Sequence, residues 1–297
     1  MTTVKQNSIK AWLLAARPKT LAGAAVPVLL GTALAYADGH FQWIPTLVCF
    51  AFAFLMQIVA NFINDLYDFL KGADRSDRLG PERACAQGWI TTSALKKGIL
   101  LTVILACAIG CILLYYAGWQ LIPVGLCCVV FAFLYTGGPY PLAYHGWGDL
   151  LVLVFFGLVP VGYTYYIQAH VWTWQTLLAA MVCGLVIDTL LVVNNYRDRD
   201  TDAASGKRTI IVRFGEPFGR YLYWGLGAGA SLLCLSYAVE SNYLATLLPQ
   251  LYLIPHTLTW RKMVRIHQGK ALNTILGETS RNILFLGILL ATGLAFG

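Results

Sequence analysis

The chain has 297 residues, 58% of them hydrophobic and only 12% charged, with a formal net charge of +7. Soluble domains carry about 25% charged residues, so the composition excludes an ordinary soluble enzyme and points to a polytopic membrane protein. The positive balance is no sign of nucleic-acid binding: the basic residues fall between apolar runs, where they suit an anionic membrane surface and an anionic substrate.

Residues 1–20 carry Lys5, Lys10, Arg17 and Lys19 around a short apolar patch, so no cleavable signal peptide is expected. Hydropathy then predicts nine crossings, near residues 20–37, 43–64, 98–116, 119–136, 149–168, 174–196, 219–238, 243–260 and 279–296. All 21 Lys and Arg lie in 1–19, 71–97, 197–220 and 261–281, and the alternate gaps around Asp38, Gly118, His170 and Glu240 hold none. The positive-inside rule places the N-terminus and those basic gaps in the cytoplasm and the C-terminus outside. The expected fold is a single all-α domain over 1–297, a multi-pass protein of the inner (plasma) membrane. Its nine helices surround a central cavity that opens to the cytoplasmic side.

Arg17, at an Arg-Pro pair opening the first span, serves as an inside-anchoring charge or aims a planar, multi-donor guanidinium at a phosphate or carboxylate. The second span, 21 residues from Trp43 to Ile63 without a charge, runs into NDLYDFLKGADRSDRLGP at 64–81. Asn64 and Asp68 are four apart and share a helix face. Asp65, Lys71, Asp74, Arg75, Asp77 and Arg78 complete the cluster. Oxygen ligands beside cations suit Mg²⁺ carrying a phosphate, and a solvated helix end is the plainer account. A second copy decides between them: Asn194, Asp198 and Asp202 repeat the four-residue spacing after another apolar run, and Lys207 and Arg208 follow. The two motifs lie 130 residues apart and hint at a duplicated four-helix unit.

The gap TGGPYPLAYHGWGD lacks Lys and Arg and holds Tyr140, Tyr144 and Trp147, with Tyr135 just before it, an interfacial belt or the wall of a pocket for a cation or a flat ring. His145 reads as incidental, and Asp149 as a helix cap. Asp188, inside the sixth span, is an intramembrane carboxylate and hence a functional candidate, or a packed acid bonded to a neighbouring helix. The eight cysteines sit mostly in apolar runs without a Cys-x-x-Cys and read as packing residues.

RPKT at 17–20, the two acidic stretches, GDLLVLVFFG at 148–157 and the continuation to TIIVRFG at 215 carry a resemblance over essentially the whole chain. The chain resembles the UbiA superfamily of intramembrane aromatic prenyltransferases, and within it the branch acting on 1,4-dihydroxy-2-naphthoate. That resemblance implies Mg²⁺ as cofactor, with Asn64, Asp68, Asp74, Asn194, Asp198 and Asp202 as its ligands, and Asp68, Asp198 and Asp202 as the catalytic acids. It implies a polyprenyl diphosphate held by Arg17, Lys71, Arg75, Lys207 and Arg208, with Tyr135 lining the substrate cavity. The family's first motif often carries a third Asp where Gly72 stands here, so Asp74 or Asp77 is expected to supply that carboxylate. Another aromatic acceptor and, as a different class, cation transport through paired carboxylates are the competing readings.

A reporter fused after Gly297 is expected to read as extracytoplasmic and one inserted in 197–215 as cytoplasmic. A cytoplasmic C-terminus would contradict the span count.

Overall fold

Backbone N–H and C=O groups placed in hydrocarbon must be satisfied within their own segment, and the long apolar runs of this chain answer as helices. The computed structural model describes residues 4–73 and 78–297. In order, the helices are α1 (Ile9–Ala16), α2 (Leu21–Ala37), α3 (Trp43–Leu70), α4 (Thr92–Ala117), α5 (Leu121–Thr136), α6 (Gly148–Ala169), α7 (Trp174–Ala204), α8 (Ile210–Glu240), α9 (Tyr243–Leu247), α10 (Leu253–Ile266) and α11 (Leu272–Phe296). No strand occurs among the described residues.

Helix occupies each of the nine stretches expected from hydropathy. Among the described residues six helices (α3, α4, α6, α7, α8 and α11) are long and apolar enough to cross a membrane, or seven if α1 and α2, bent by 56°, form one span. α5 has 16 residues, and a 3₁₀ turn at Leu248–Tyr252 divides α9 from α10. The chain is a multi-pass membrane protein.

α7 is the central post. Its apolar window is 72% buried, against 11% for α4, so α7 contacts helices on all sides while α4 keeps most of its surface outward. Val182, Cys183 and Val186 of α7 join Val26 and Leu30 of α2, Val161 and Tyr165 of α6, and Leu286 and Leu290 of α11 in the main core. A second cluster, Ala11, Ala15, Phe62, Leu66, Ile90 and Leu95, seats the end of α3 against α1 and α4. A third joins Val192 and Tyr196 of α7 to Ile211, Tyr223, Met263 and Ile275. The two acidic motifs thus sit at one end of the bundle, each on a helix anchored by its own cluster. The eight cysteines are free, and four of them are buried in packing positions.

Between membrane helices dispersion and close packing replace the hydrophobic drive, so small residues set the closest approaches. α6 meets α7 where its turn Leu153–Leu158 widens into a π-helix. A Cβ on Gly157 would lie 2.5 Å from the Ala180 carbonyl and 3.0 Å from Gly184 Cα, both backbone atoms. Gly157→Ala is therefore expected to push the helices apart, costing about 1–3 kcal/mol by overpacking and lowering the thermal midpoint in detergent. Gly125→Ala on α5, where the added Cβ meets nothing within 4 Å, serves as the comparison and is expected to leave the midpoint unchanged or raise it. Equal midpoints for both variants would contradict this packing account.

Candidate functional site

The two acidic motifs end their helices with the same backbone device. After α3, Gly72 adopts φ 70°, and the N–H of Ala73 donates to the Asp68 carbonyl at 2.9 Å. After α7, Gly206 adopts φ 76°, and the N–H of Lys207 donates to the Asp202 carbonyl at 2.9 Å. Both are left-handed C-caps, which a residue with a Cβ adopts only at a cost. Counted back from the cap, Asp68 matches Asp202 and Asn64 matches Asp198. The first motif is one helical turn shorter than the second, and Gly72 is the cap itself. This is why no third Asp stands there.

The caps bring both motifs to one cavity of about 50 Å³, lined by Asp68, Arg78, Arg83, Tyr144, Asp198 and Asp202, with Ala73, Thr201 and Lys207 closing it. Tyr144 is the joint between them. Its hydroxyl donates to Asp68 Oδ1 at 3.0 Å. Lys71 Nζ lies 4.9 Å from the centre of its ring and Lys207 Nζ 5.7 Å. Its carbonyl accepts from the Arg208 N–H at 2.8 Å. Two ammonium groups from different motifs therefore share one aromatic ring.

Every carboxylate in the cavity has a cation beside it. Arg83 Nη2 meets Asp68 Oδ2 at 3.1 Å, Arg197 meets Asp198 through Nε at 2.8 Å and Nη2 at 2.5 Å, and Lys207 meets Asp202 at 3.5 Å. Asp65, one residue into the first motif, does something else. Its two oxygens accept from the backbone N–H groups of Ala84 and Cys85 at 2.9 and 3.0 Å, which fastens the returning loop and delivers Arg83 to Asp68. Asn273, at the start of α11, accepts from Arg197 at 2.9 Å and donates to the Leu79 carbonyl at 2.8 Å, closing the other side.

The remaining expected residues lie around this centre. Asn64 and Asn194 sit one turn deeper than Asp68 and Asp198. Asn64 Oδ1 accepts from Thr136 at 2.9 Å, and Asn194 donates to its own helix at the Leu190 carbonyl. Lys71 donates to the Thr136 carbonyl at 2.6 Å, so α3 and α5 are tied at their ends. Loss of water around Lys71 lowers its pKa from the ordinary lysine value, and the Asp68 charge opposes that shift. Arg17 holds a left-handed backbone (φ 51°) at the break between α1 and α2, which Asn61 pins to α3 through the Ala16 carbonyl at 2.9 Å. Tyr135 precedes Thr136, which meets Asn64 and Lys71, and its hydroxyl lies 3.4 Å from the Cβ position of Gly148 at the start of α6. Arg208 is exposed and approaches Tyr144 through its backbone. Asp74, Arg75 and Asp77 lie outside the described residues.

Arg78 of the first cluster and Tyr144, offered by the sequence as belt or pocket wall, line the cavity; Arg83, which also lines it, and Arg197, which braces it, carry no mark in the sequence. His145 stacks on Tyr140 and its carbonyl accepts from Arg213 at 2.6 Å, a loop-holding role.

Among the described residues no three His, Cys, Asp or Glu side chains form a ready metal cage. The donor set nevertheless fits an ion that arrives with its own oxygens. Three carboxylates face one cavity, and Asp202 Oδ2 is buried without a hydrogen-bond partner among the described residues. Mg²⁺ is commonly held in this way, by one or two carboxylates plus phosphate.

The model of the UbiA prenyltransferase family matches residues 24–293. The chain is 39% identical over 242 residues to the 1,4-dihydroxy-2-naphthoate octaprenyltransferase of Escherichia coli, covering 80% of this chain and 78% of that one. It is 36% identical to the protein of the same name from Haemophilus influenzae, covering 98% and 97%. A UbiA homolog from Archaeoglobus fulgidus bound to GPP and Mg²⁺ superposes with a TM-score of 0.67 at 13% identity, over 95% of this chain and 99% of that one. With the family model spanning most of its length and relatives above one-third identity, the chain belongs to the UbiA prenyltransferase family.

Proposed function

We propose that the protein transfers a polyprenyl group from polyprenyl diphosphate to 1,4-dihydroxy-2-naphthoate, releasing CO₂ and diphosphate and giving demethylmenaquinol for menaquinone biosynthesis. The observation that carries the reaction type is the convergence of both acidic motifs and their cations on one cavity around Tyr144. The choice of acceptor is supported by relatives that bear that activity in their names.

The bond changes set the demands on the site. The C–O bond between the allylic carbon and diphosphate breaks, and its electron pair leaves with the diphosphate. A bond forms from the allylic carbon to the ring carbon that bears the carboxylate. That carboxylate departs as CO₂, and the electron pair of the broken C–C bond restores the aromatic ring. No protein nucleophile is needed.

In this reading Asp68, Asp198 and Asp202 hold Mg²⁺, with Asn64, Asn194 and Asp74 completing the sets. Bound with the diphosphate, Mg²⁺ neutralises the charge that gathers on the leaving group. Arg78, Arg83, Lys71 and Lys207, with Arg17, Arg75 and Arg208, supply positive charge to the same oxygens. The ion pairs of the unliganded site are part of this. Each acid that takes up a divalent ion frees a guanidinium or ammonium for the anion, so metal and diphosphate enter together with little change in net charge. Apolar helix faces below the mouth keep water from the allylic carbon. The finer topology belongs to the same reading: one domain, nine crossings of the inner membrane, and the acidic mouth on the cytoplasmic side.

Purified protein in detergent or vesicles, given polyprenyl diphosphate, 1,4-dihydroxy-2-naphthoate and Mg²⁺, is expected to yield the decarboxylated prenyl product. Conversion of 4-hydroxybenzoate or homogentisate in place of the naphthoate would overturn the acceptor assignment. Asp68→Asn and Asp198→Asn each remove one charge from the cavity wall, and each is expected to lower kcat by about 10²–10³, the usual cost of losing one electrostatic stabiliser. Both variants are expected to insert and to unfold near the wild-type temperature. Turnover near wild type in either, at limiting Mg²⁺, would contradict the two-motif site.

A further inference from the structure

Two acids the mechanism leaves unused lie deeper in the bundle. α6 runs antiparallel to α7, and the glycines along it give the register. A Cβ on Gly184 would lie 3.1 Å from Leu153 Cα, and one on Gly148 would lie 3.1 Å from the Leu191 side chain. Between these two approaches the register sets Asp149 of α6 against Asp188 of α7. Tyr135 of α5 leans over the pair, its hydroxyl 3.4 Å from the Cβ position of Gly148.

Asp188 is 2% exposed, and its Oδ1 has no hydrogen-bond partner among the described residues; Asp149 Oδ1 is buried in the same state. Asp65 shows what a structural acid looks like in this protein, with both oxygens satisfied by backbone N–H groups. Thr189, beside Asp188, gives its hydroxyl to the Val186 carbonyl of its own helix at 2.6 Å and not to Asp188 Oδ1. Two buried acceptors without donors are costly and call for a ligand that brings donors.

Resting on the function proposed above, we propose that Asp149 and Asp188, roofed by Tyr135, form the seat of the acceptor ring and accept a hydrogen bond from its 4-hydroxyl. The acceptor has one end that suits acids and one that does not. Its 4-hydroxyl is a donor, whereas its carboxylate is repelled by this pair and drawn to the cations at the mouth. Seated in this way, the carboxylate-bearing carbon faces the site where diphosphate leaves, and Tyr135 stands between the layers, its hydroxyl beside Gly148 and the next residue, Thr136, bonded to Asn64 and Lys71 of the first motif.

The probe is 1-hydroxy-2-naphthoate, which lacks only that hydroxyl. Binding of both naphthoates and of a non-hydrolysable prenyl thiolodiphosphate is measured on purified wild type, Asp188→Asn and Asp149→Asn. Wild type is expected to prefer the dihydroxy acceptor about tenfold or more, as for a lost bond to a charged group. Both variants are expected to lower that preference below about threefold, with binding of the monohydroxy compound and of the donor analogue changed less than about twofold. Asp188→Asn is expected to melt at or above the wild-type temperature, because a buried carboxyl with a donorless oxygen is replaced by a neutral isostere. A preference retained in both variants, or a variant that melts lower and loses donor and acceptor alike, would overturn the seat and leave the function standing. Wild type that binds neither naphthoate would overturn the function and the seat with it.

Discussion

Carboxylates at the C-terminal end of a helix sit against the negative end of its dipole, and this protein places three of them there on two helices that face each other. Left alone, Asp68, Asp198 and Asp202 would repel one another across a poorly hydrated cavity. The rest of the charged end follows from that constraint. Arg83, fifteen residues after Asp68 in sequence, is brought back beside it by a segment that Asp65 fastens, Arg197 is held by Asn273, and Lys207 is turned onto Asp202 by a left-handed glycine. A site that must recruit cations to exist is well suited to a metal ion, and one that stores its cations as ion pairs is well suited to release them to a diphosphate. In the function proposed above, acid and base act as one device.

The scaffold has to hold those two helix ends in register, and in a membrane it does so by contact and not by the exclusion of water. α7 is packed along most of its length, and its glycine approach to α6 sets both the spacing of the helices and the register that pairs Asp149 with Asp188. The same small residues that let the backbones touch thus position the two layers of the site, the charged mouth and the acid pair below it. Tyr135 and Tyr144 divide the work between those layers. Tyr144 gathers the ammonium groups at the mouth, and Tyr135 looks both ways.

Much of this is legible in the amino-acid sequence, because bilayer thickness and charge asymmetry are strong constraints that act locally. The apolar runs fall where the helices fall, and Asp68 of one Asn-x-x-x-Asp element shares a cavity with Asp198 of the other. What escapes a linear reading depends on contacts between distant residues. Asp65 and Asp68 look alike in the sequence, yet one is a backbone cap and the other lines the cavity, and only the position of the loop at 84–85 separates them. Tyr144 resembles any interfacial tyrosine until Lys71 and Lys207 are seen over its ring. Alignment of the motifs by their asparagines pairs Asp68 with Asp198, whereas the helix caps pair it with Asp202, because a cap is a three-dimensional landmark that spacing alone does not reveal.

The central claim is that the two motifs, 130 residues apart, act as a single site. A double-mutant cycle tests it most directly: kcat for wild type, Asp68→Asn, Asp198→Asn and the double variant, each with saturating polyprenyl diphosphate and 1,4-dihydroxy-2-naphthoate. Groups that stabilise one transition state together are strongly non-additive, so the double variant is predicted to be about as slow as the slower single variant. A double variant slowed by the full product of the two single effects would mean that the motifs contribute independently, and would contradict the account.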